Sequence, residues 1–155
     1  MVGGKRRIFN KVKKLLNTMG KATYVGKTGS GQVAKLANQA IVGITIGAVS
    51  EALILSKAAG ANPRAVREAI KNGFAGSPIL ENHGKRILEN NFKPGGKSST
   101  QFKDMKNIIE TAKDSNVHLP ISNKVKKLYA LMVKQGKSNL DHSALYLLLK
   151  RFKKY

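Results

Sequence analysis

The chain has 155 residues, a length that suffices for one domain with a sizeable buried core. It contains no cysteine, which excludes disulfide bonds, thiol catalysis and thiolate metal sites. Its formal net charge of +21 predicts attraction to polyanions, although a lysine-rich surface that is simply solvated would give the same charge.

The positions of the histidines and the start of the chain argue against two further properties. His83, His118 and His142 are far apart in the sequence and near no carboxylate cluster, so we expect no metal site. The basic start is followed by amphipathic sequence and lacks the apolar block of a signal peptide, so we expect a cytoplasmic protein. Aromatic residues make up only 6% of the chain and are not interleaved with the basic ones, which predicts only non-specific contact with nucleic acid.

Two short elements are predicted before the longest helix. Apolar residues recur at helical spacing between Ile8 and Met19, which predicts a helix that ends at Gly20. Residues 22–25 are β-prone and indicate a strand or an extended connection. Residues 26–31 are rich in glycine and link this segment to the next helix.

The longest predicted helix runs from about residue 31 to residue 59. Its middle, residues 40–49, is apolar almost all round, which is typical of a helix in a core or in a membrane. Asn38, Gln39 and Glu51 raise the free energy of inserting this segment into lipid, so we expect a buried helix and no membrane. The length of the helix in so small a domain predicts that one flank packs against a second copy, as in a homodimer or tetramer.

Five more helices are predicted downstream. Asn62-Pro63 and Ser77-Pro78 are typical helix starts, for helices ending near residues 72 and 90. A loop at 93–99, helices at 100–115 and 121–135, and a last helix capped by Asn139-Leu140-Asp141 follow. Strand signals are nearly absent, so the predicted fold is all-α, a helical bundle around helix 31–59.

A candidate proton donor lies at the start of the long helix. Lys35 follows the flexible Gly29-Ser30-Gly31 lead, about one turn inside the helix, where the positive end of the helix dipole disfavours its charge. Asn38 and Gln39 share its face because residues three and four apart are neighbours on a helix. Such an amine beside two amides can act as a general acid towards a carbonyl oxygen, whereas the simpler alternative is a solvated surface lysine.

These residues belong to an ordered series of motifs that resembles the β-hydroxyacid dehydrogenase family. The similarity is to the C-terminal domain of the tartronate semialdehyde (2-hydroxy-3-oxopropionate) reductases, and next to that of the 3-hydroxyisobutyrate dehydrogenases. The motifs are Gly29-x-Gly31-x-x-x-Lys35-x-x-Asn38-Gln39, Ser50-Glu51-Ala52-Leu53, Gly73-Phe74-Ala75-Gly76-Ser77, Asn91-Phe92-Lys93-Pro94-Gly95, Phe102-Lys103-Asp104 and Asp141-His142-Ser143-Ala144-Leu145.

The resemblance implies hydride transfer between NAD or NADP and a small 3-hydroxy acid or aldehyde acid. It implies that Lys35 is the catalytic proton donor and that Asn38 and Gln39 bind the substrate. Lys103 would bind the cofactor, while Asp104 could cap its helix. Residues 31–155 would be the catalytic and dimerisation domain.

The sequence departs from the family pattern in two places. Gly96 stands where many relatives have phenylalanine, so an apolar wall of the site would be lost. The nucleotide-binding half of the family precedes this domain, and Met1-Val2-Gly3-Gly4 resembles its last strand. Residues 1–30 would then be the remnant of a sheet with nothing to pair against, and we expect little or no turnover from the chain alone.

Two other interpretations remain open from the sequence. The basic helices could form a module that binds nucleic acid, which would be indifferent to the loss of Lys35. The long helix could also serve purely as a dimerisation domain.

Overall fold

The computed structural model describes residues 1–152 and divides into two compact units, Met1–Gln39 and the residues from Ala40 onward. The prediction of a mostly helical fold with a short extended N-terminal segment is confirmed. The elements are β1 (Val2–Gly3), α1 (Arg6–Asn17), β2 (Tyr24–Gly26), α2 (Ser30–Ala58), α3 (Pro63–Ile70), α4 (Pro78–Leu88), α5 (Ser98–Asp114), α6 (Pro120–Lys134), a 3-10 helix (His142–Ala144) and α7 (Leu145–Leu149).

The first unit contains a two-stranded parallel sheet. Strand β1 pairs with β2, with Val2 opposite Tyr24. The centroids of the Tyr24 and Phe9 rings lie 5.2 Å apart. The Arg6 guanidinium lies 4.6 Å from the centroid of the Tyr24 ring. The Tyr24 hydroxyl donates a hydrogen bond to the carbonyl oxygen of Gly4, so this side chain of β2 contacts both α1 and the residue that follows β1.

Two glycines allow β1 to cross the start of α2 at backbone contact. A Cβ atom on Gly3 would lie 2.8 Å from the backbone nitrogen of Gly31 and 2.6 Å from the carbonyl oxygen of Lys27. A Cβ atom on Gly31 would lie 3.3 Å from the backbone nitrogen of Gly3. A side chain at Gly3 would therefore push the strand and the helix apart, while one at Gly31 would make a tight contact with β1.

The part of α2 in the second unit is buried on one side only. Ile46, Val49 and Leu53 are buried, whereas Ile41 and Leu55 are 67% and 69% exposed. Among the described residues, α2 is the one helix long and apolar enough to cross a membrane, and 33% of its most apolar window is buried. The helix therefore keeps an apolar flank that the described part of a single chain leaves uncovered.

Helices α3 and α4 begin as their sequences predict. The Asn62 side chain accepts a hydrogen bond from the backbone nitrogen of Arg64, and the Ser77 hydroxyl accepts one from that of Leu80. The apolar cluster that α4 forms with α2 consists of Val49, Leu53, Leu80 and Ile87, with Ile70, Ile79, Leu88, Phe92 and Tyr146 packed against it.

The buried carboxylate of Asp141 joins the loop before α5 to the 3-10 helix. Its Oδ2 accepts hydrogen bonds from the backbone nitrogens of Gly95 (2.9 Å) and Gly96 (3.1 Å). Its Oδ1 accepts from the backbone nitrogen (3.0 Å) and the hydroxyl (2.6 Å) of Ser143. Burial alone would raise the pKa of Asp141, but these hydrogen bonds, led by that of the Ser143 hydroxyl, outweigh it and lower the pKa to about 2.

Backbone hydrogen bonds hold the same loop along its length. The backbone nitrogen of Asp141 donates to the carbonyl oxygen of Phe92, and that of His142 donates to the carbonyl oxygen of Gly96. Lys97 and Asp141 form an isolated antiparallel bridge. The predicted cap at Asp141 is therefore also the attachment point of the loop.

Replacing Gly3 with alanine should weaken the pairing of β1 with β2. The added methyl group would meet the backbone of Lys27 and Gly31, and relieving such overlap costs about 1–3 kcal/mol. The Val2 amide donates to the carbonyl oxygen of Thr23, and the Gly4 amide donates to that of Gly26. Both amides should then exchange faster with solvent deuterium. Gly73→Ala is the control, because its Cβ atom would lie 3.6 Å from the carbonyl oxygen of Ile70, an ordinary contact. Unchanged amide exchange in Gly3→Ala would contradict the close crossing of β1 and α2.

Asp141→Asn should lower the free energy of unfolding by about 2–4 kcal/mol at neutral pH, because a charged acceptor of several hydrogen bonds is lost. The pKa of Asp141 is depressed in the folded state, so its ionisation contributes stability above the ordinary pKa of 3.8. That contribution is lost as the pH falls towards 2, and urea unfolding at about pH 3 should show a smaller difference between variant and wild type. Asp114→Asn, at the exposed end of α5, is the control; an equal loss at both pH values would contradict this assignment.

Candidate active site

Lys35 lies in the second turn of α2, and its side chain is exposed. The helix begins here because Gly29 adopts a φ of +91°, which turns the chain out of β2. The carbonyl oxygen of Gly29 then accepts hydrogen bonds from the backbone nitrogens of Gln32 and Val33. Gly29 thus supplies the turn, Gly31 the close crossing, and Lys35 is presented one turn later.

Asn38 and Gln39 lie on α2 beside Lys35, as predicted. The Asn38 side chain is exposed and donates a hydrogen bond of 3.1 Å to the Oε1 atom of Gln39. The side chain of Leu36 is buried, which fixes the rotation of this turn and keeps Lys35 directed towards solvent. A primary amine and two amides therefore share one accessible stretch of helix, a set of groups that can donate a proton and orient a small polar ligand.

Lys103 lies on α5 in the second unit, and its side chain is exposed. Asp104 is buried inside α5, seven residues into the helix, so the expectation that it caps the helix is wrong. The helix begins after Lys97, whose side chain makes no capping hydrogen bond. An exposed lysine of this kind can face a phosphate or a carboxylate.

The glycine at position 96 lies against the imidazole of His142. A Cβ atom on Gly96 would lie 3.2 Å from Cε1 and 3.3 Å from Nε2 of that ring. The space that a larger residue would enter is therefore bordered by His142 in this chain.

The structure brings together two histidines that sequence reasoning treated as separate. The rings of His83, on α4, and His142 meet edge to face with their centroids 4.6 Å apart. The Nδ1 atom of His83 lies 3.7 Å from Oδ1 of Asp141. Only the position of Asp141 as a helix cap was visible in the sequence, because the contact with His83 depends on the packing of α4.

Burial lowers the pKa of both histidines. For His83, the carboxylate of Asp141 opposes this change and Arg86 reinforces it. For His142, the neighbouring His83 and Arg86 also lower the pKa, while Asp141 raises it. Both rings are therefore shifted towards the neutral form near pH 7.

Comparison with known proteins identifies the family. A family profile described as the NAD-binding domain of NADP-dependent 3-hydroxyisobutyrate dehydrogenase matches residues 29–149. The chain belongs to this family. Lys35, Asn38, Gln39 and Lys103 all lie inside the matched region.

Individual relatives agree with this assignment. The 2-hydroxy-3-oxopropionate reductase of Escherichia coli is 44% identical over 94% of this chain and 50% of its own length. A probable mitochondrial 3-hydroxyisobutyrate dehydrogenase-like protein of Arabidopsis thaliana is 33% identical over 96% of this chain and 45% of its own length. The chain spans about half the length of the curated relatives it matches.

Solved structures show the same fold. The 3-hydroxyisobutyrate dehydrogenase of Mycobacterium tuberculosis, solved with L-serine, superposes with a TM-score of 0.85 at 23% identity, over 96% of this chain and 54% of that one. A Salmonella typhimurium 3-hydroxyisobutyrate dehydrogenase gives a TM-score of 0.84 at 21% identity, over 94% and 52%. The predicted resemblance to the β-hydroxyacid dehydrogenases is confirmed, and the relatives are NAD(P)-dependent hydroxyacid dehydrogenases by family.

Proposed function

We propose that the chain supplies the proton donor and the substrate-binding helix of an NAD(P)-dependent hydroxyacid dehydrogenase. This proposal rests on one observation. Lys35 is exposed on α2 beside Asn38 and Gln39, and all three lie inside the region that the family profile matches. The substrate would be a small aldehyde acid of the tartronate semialdehyde type, because the E. coli relative at 44% identity is a 2-hydroxy-3-oxopropionate reductase.

The residues of α2 would act on the carbonyl oxygen of the substrate. Reduced nicotinamide, when bound, supplies a hydride to the carbonyl carbon. Lys35 gives a proton to the oxygen as the carbon–oxygen double bond becomes a hydroxyl, so the product carries one hydride and one proton. In the reverse direction the neutral amine of Lys35 accepts that proton. Asn38 and Gln39 hold the polar groups of the acid so that the carbonyl oxygen faces Lys35.

Lys103 is the residue that we assign to the cofactor. Its exposed ammonium group suits a phosphate oxygen of NAD(P), since lysine binds phosphate as a compact, strongly hydrated charge. The match to a family profile described as NAD-binding supports this role. Because the chain covers about half of the E. coli reductase, we propose that turnover requires the part of such an enzyme that this chain does not match.

We also propose that two copies pair along the exposed flank of α2. Ile41, Ala48 and Leu55 are exposed at intervals of seven residues, and such a repeat forms one stripe on a helix. The buried residues Ile46 and Leu53 lie on the opposite side of the same helix. The same stripe on α2 of a second copy of the chain could pack against it and bury these apolar side chains.

Lys35→Ala should lower kcat by about a hundredfold to ten-thousandfold, because general acid catalysis contributes that much. The assay uses a chimera in which this chain replaces the matched part of the E. coli reductase, and it follows NADH and NADPH oxidation with tartronate semialdehyde. Lys35→Arg should also be slow, since arginine does not release its proton. Lys57→Ala, at the exposed end of α2, is the control; an active chimera that tolerates Lys35→Ala would contradict the role of Lys35.

The double variant Ile41→Asp, Leu55→Asp should sediment as a monomer where the wild type sediments as a dimer or larger assembly. Two carboxylates on the stripe would have to be desolvated in the paired state. Phe74→Asp removes another exposed apolar side chain of the second unit and should leave assembly unchanged. A monomeric wild-type chain at tens of micromolar would contradict the pairing.

A further inference from the structure

A cluster of possible metal ligands lies in the second unit, and the dehydrogenase proposal uses none of its residues. His83 comes from α4, Asp141 precedes the 3-10 helix, and His142 begins that helix. One nitrogen of each imidazole and one carboxylate oxygen all lie within 4.8 Å of one another. We propose that His83, Asp141 and His142 bind one divalent transition-metal ion of the zinc type.

The distances suit a single small ion. Zinc binds imidazole nitrogen and carboxylate oxygen at about 2.0–2.2 Å, so ligand atoms of one ion lie about 3–4 Å apart. The Nδ1 atom of His83 and Oδ1 of Asp141 are already 3.7 Å apart. Closing the largest separation requires each side chain to move by less than about 1 Å, which small changes of side-chain torsion provide.

The His83 ring contains a buried atom that such an ion would satisfy. Its Nδ1 atom is buried and has no hydrogen-bond partner among residues 1–152, although the side chain as a whole is 17% exposed. A buried polar atom left in this state destabilises the fold by about 1–3 kcal/mol. Coordination to a metal ion would use the lone pair of that nitrogen.

The protonation states favour coordination. Metal ligands must be neutral imidazoles and ionised carboxylates. Burial lowers the pKa of both histidines, and hydrogen bonds from Ser143, Gly96 and Gly95 keep Asp141 ionised despite its burial. None of the three groups has to change its charge at neutral pH before an ion binds.

An open cavity of about 570 Å³ borders the cluster and gives an ion access to it. Its lining includes Gly96, where a side chain would crowd the His142 ring. The cavity leaves room for water molecules in the coordination positions that the protein does not fill. Glycine at position 96 therefore keeps one face of the second histidine accessible.

Two existing contacts of Asp141 compete with a metal ion, and both can be tested. The Arg86 guanidinium lies 3.6 Å from Oδ2 and also donates a hydrogen bond to the carbonyl oxygen of Lys93. The Ser143 hydroxyl occupies one lone pair of Oδ1 at 2.6 Å and would rotate away on binding. Removing either competitor should strengthen the binding of a cation.

The test is a calorimetric titration of the full chain with Zn²⁺, with Co²⁺ as the absorbing probe of coordination. We expect one ion per chain at pH 7.5 with an affinity on the order of micromolar, and weaker binding at lower pH, because protons compete with the ion for the imidazole nitrogens. His83→Gln and His142→Gln should each lower the affinity by at least about tenfold. His118→Gln is the matched control, because His118 is exposed and lies outside the cluster.

Three further variants leave both histidines in place and test the site even if a histidine variant fails to fold. Arg86→Gln and Ser143→Ala should tighten Zn²⁺ binding several-fold, whereas Gly96→Phe should weaken it. The proposal is overturned if wild type binds no stoichiometric ion, or if His118→Gln reduces binding as much as His83→Gln does. It is also overturned if Arg86→Gln weakens Zn²⁺ binding, or if inorganic phosphate binds instead and loses affinity in that variant, because the cavity would then be an anion site.

Discussion

One buried carboxylate, that of Asp141, holds the loop before α5 against the start of the 3-10 helix. Asp141 accepts hydrogen bonds from the loop at Gly95 and Gly96 and from Ser143 at the start of the 3-10 helix. A buried charge is stable only when such partners surround it, so the loop and the helix start are fixed together. The position of His142, directly after this residue, is a consequence of the same hydrogen bonds.

The start of α2 follows from a steric constraint of a different kind. Gly3 and Gly31 let strand and helix backbones touch, and Gly29 supplies a φ that other residues rarely adopt. The motif glycines before Lys35 therefore have structural roles, and no contact with a ligand is needed to explain them. They determine where the first turns of the helix begin, and hence where the amine and the two amides of the α2 site lie.

Local features were predictable from the sequence, and contacts between distant segments were not. The apolar run predicted a helix at about 31–59, close to Ser30–Ala58, and the capping residues Asn62, Ser77 and Asp141 bond as predicted because their partners are a few residues away. The pairing of β1 with β2, the burial of Asp104 and the meeting of His83 with His142 arise from tertiary packing. Lys35 became a candidate from its place at the start of a helix beside two amides, and the order of several motifs strengthened that assignment.

We propose that this chain forms the proton-donating half of a hydride-transfer site. Isotope transfer tests this role in an assembled enzyme, in which this chain is joined to the part of the E. coli reductase that it does not match. The substrate is tartronate semialdehyde, and the cofactors are NADH and NADPH that carry deuterium in both positions at the reacting nicotinamide carbon. We predict one deuterium at the former carbonyl carbon of the product, measured by mass spectrometry. A product without deuterium, or a folded assembly that forms no product from either cofactor, would contradict it.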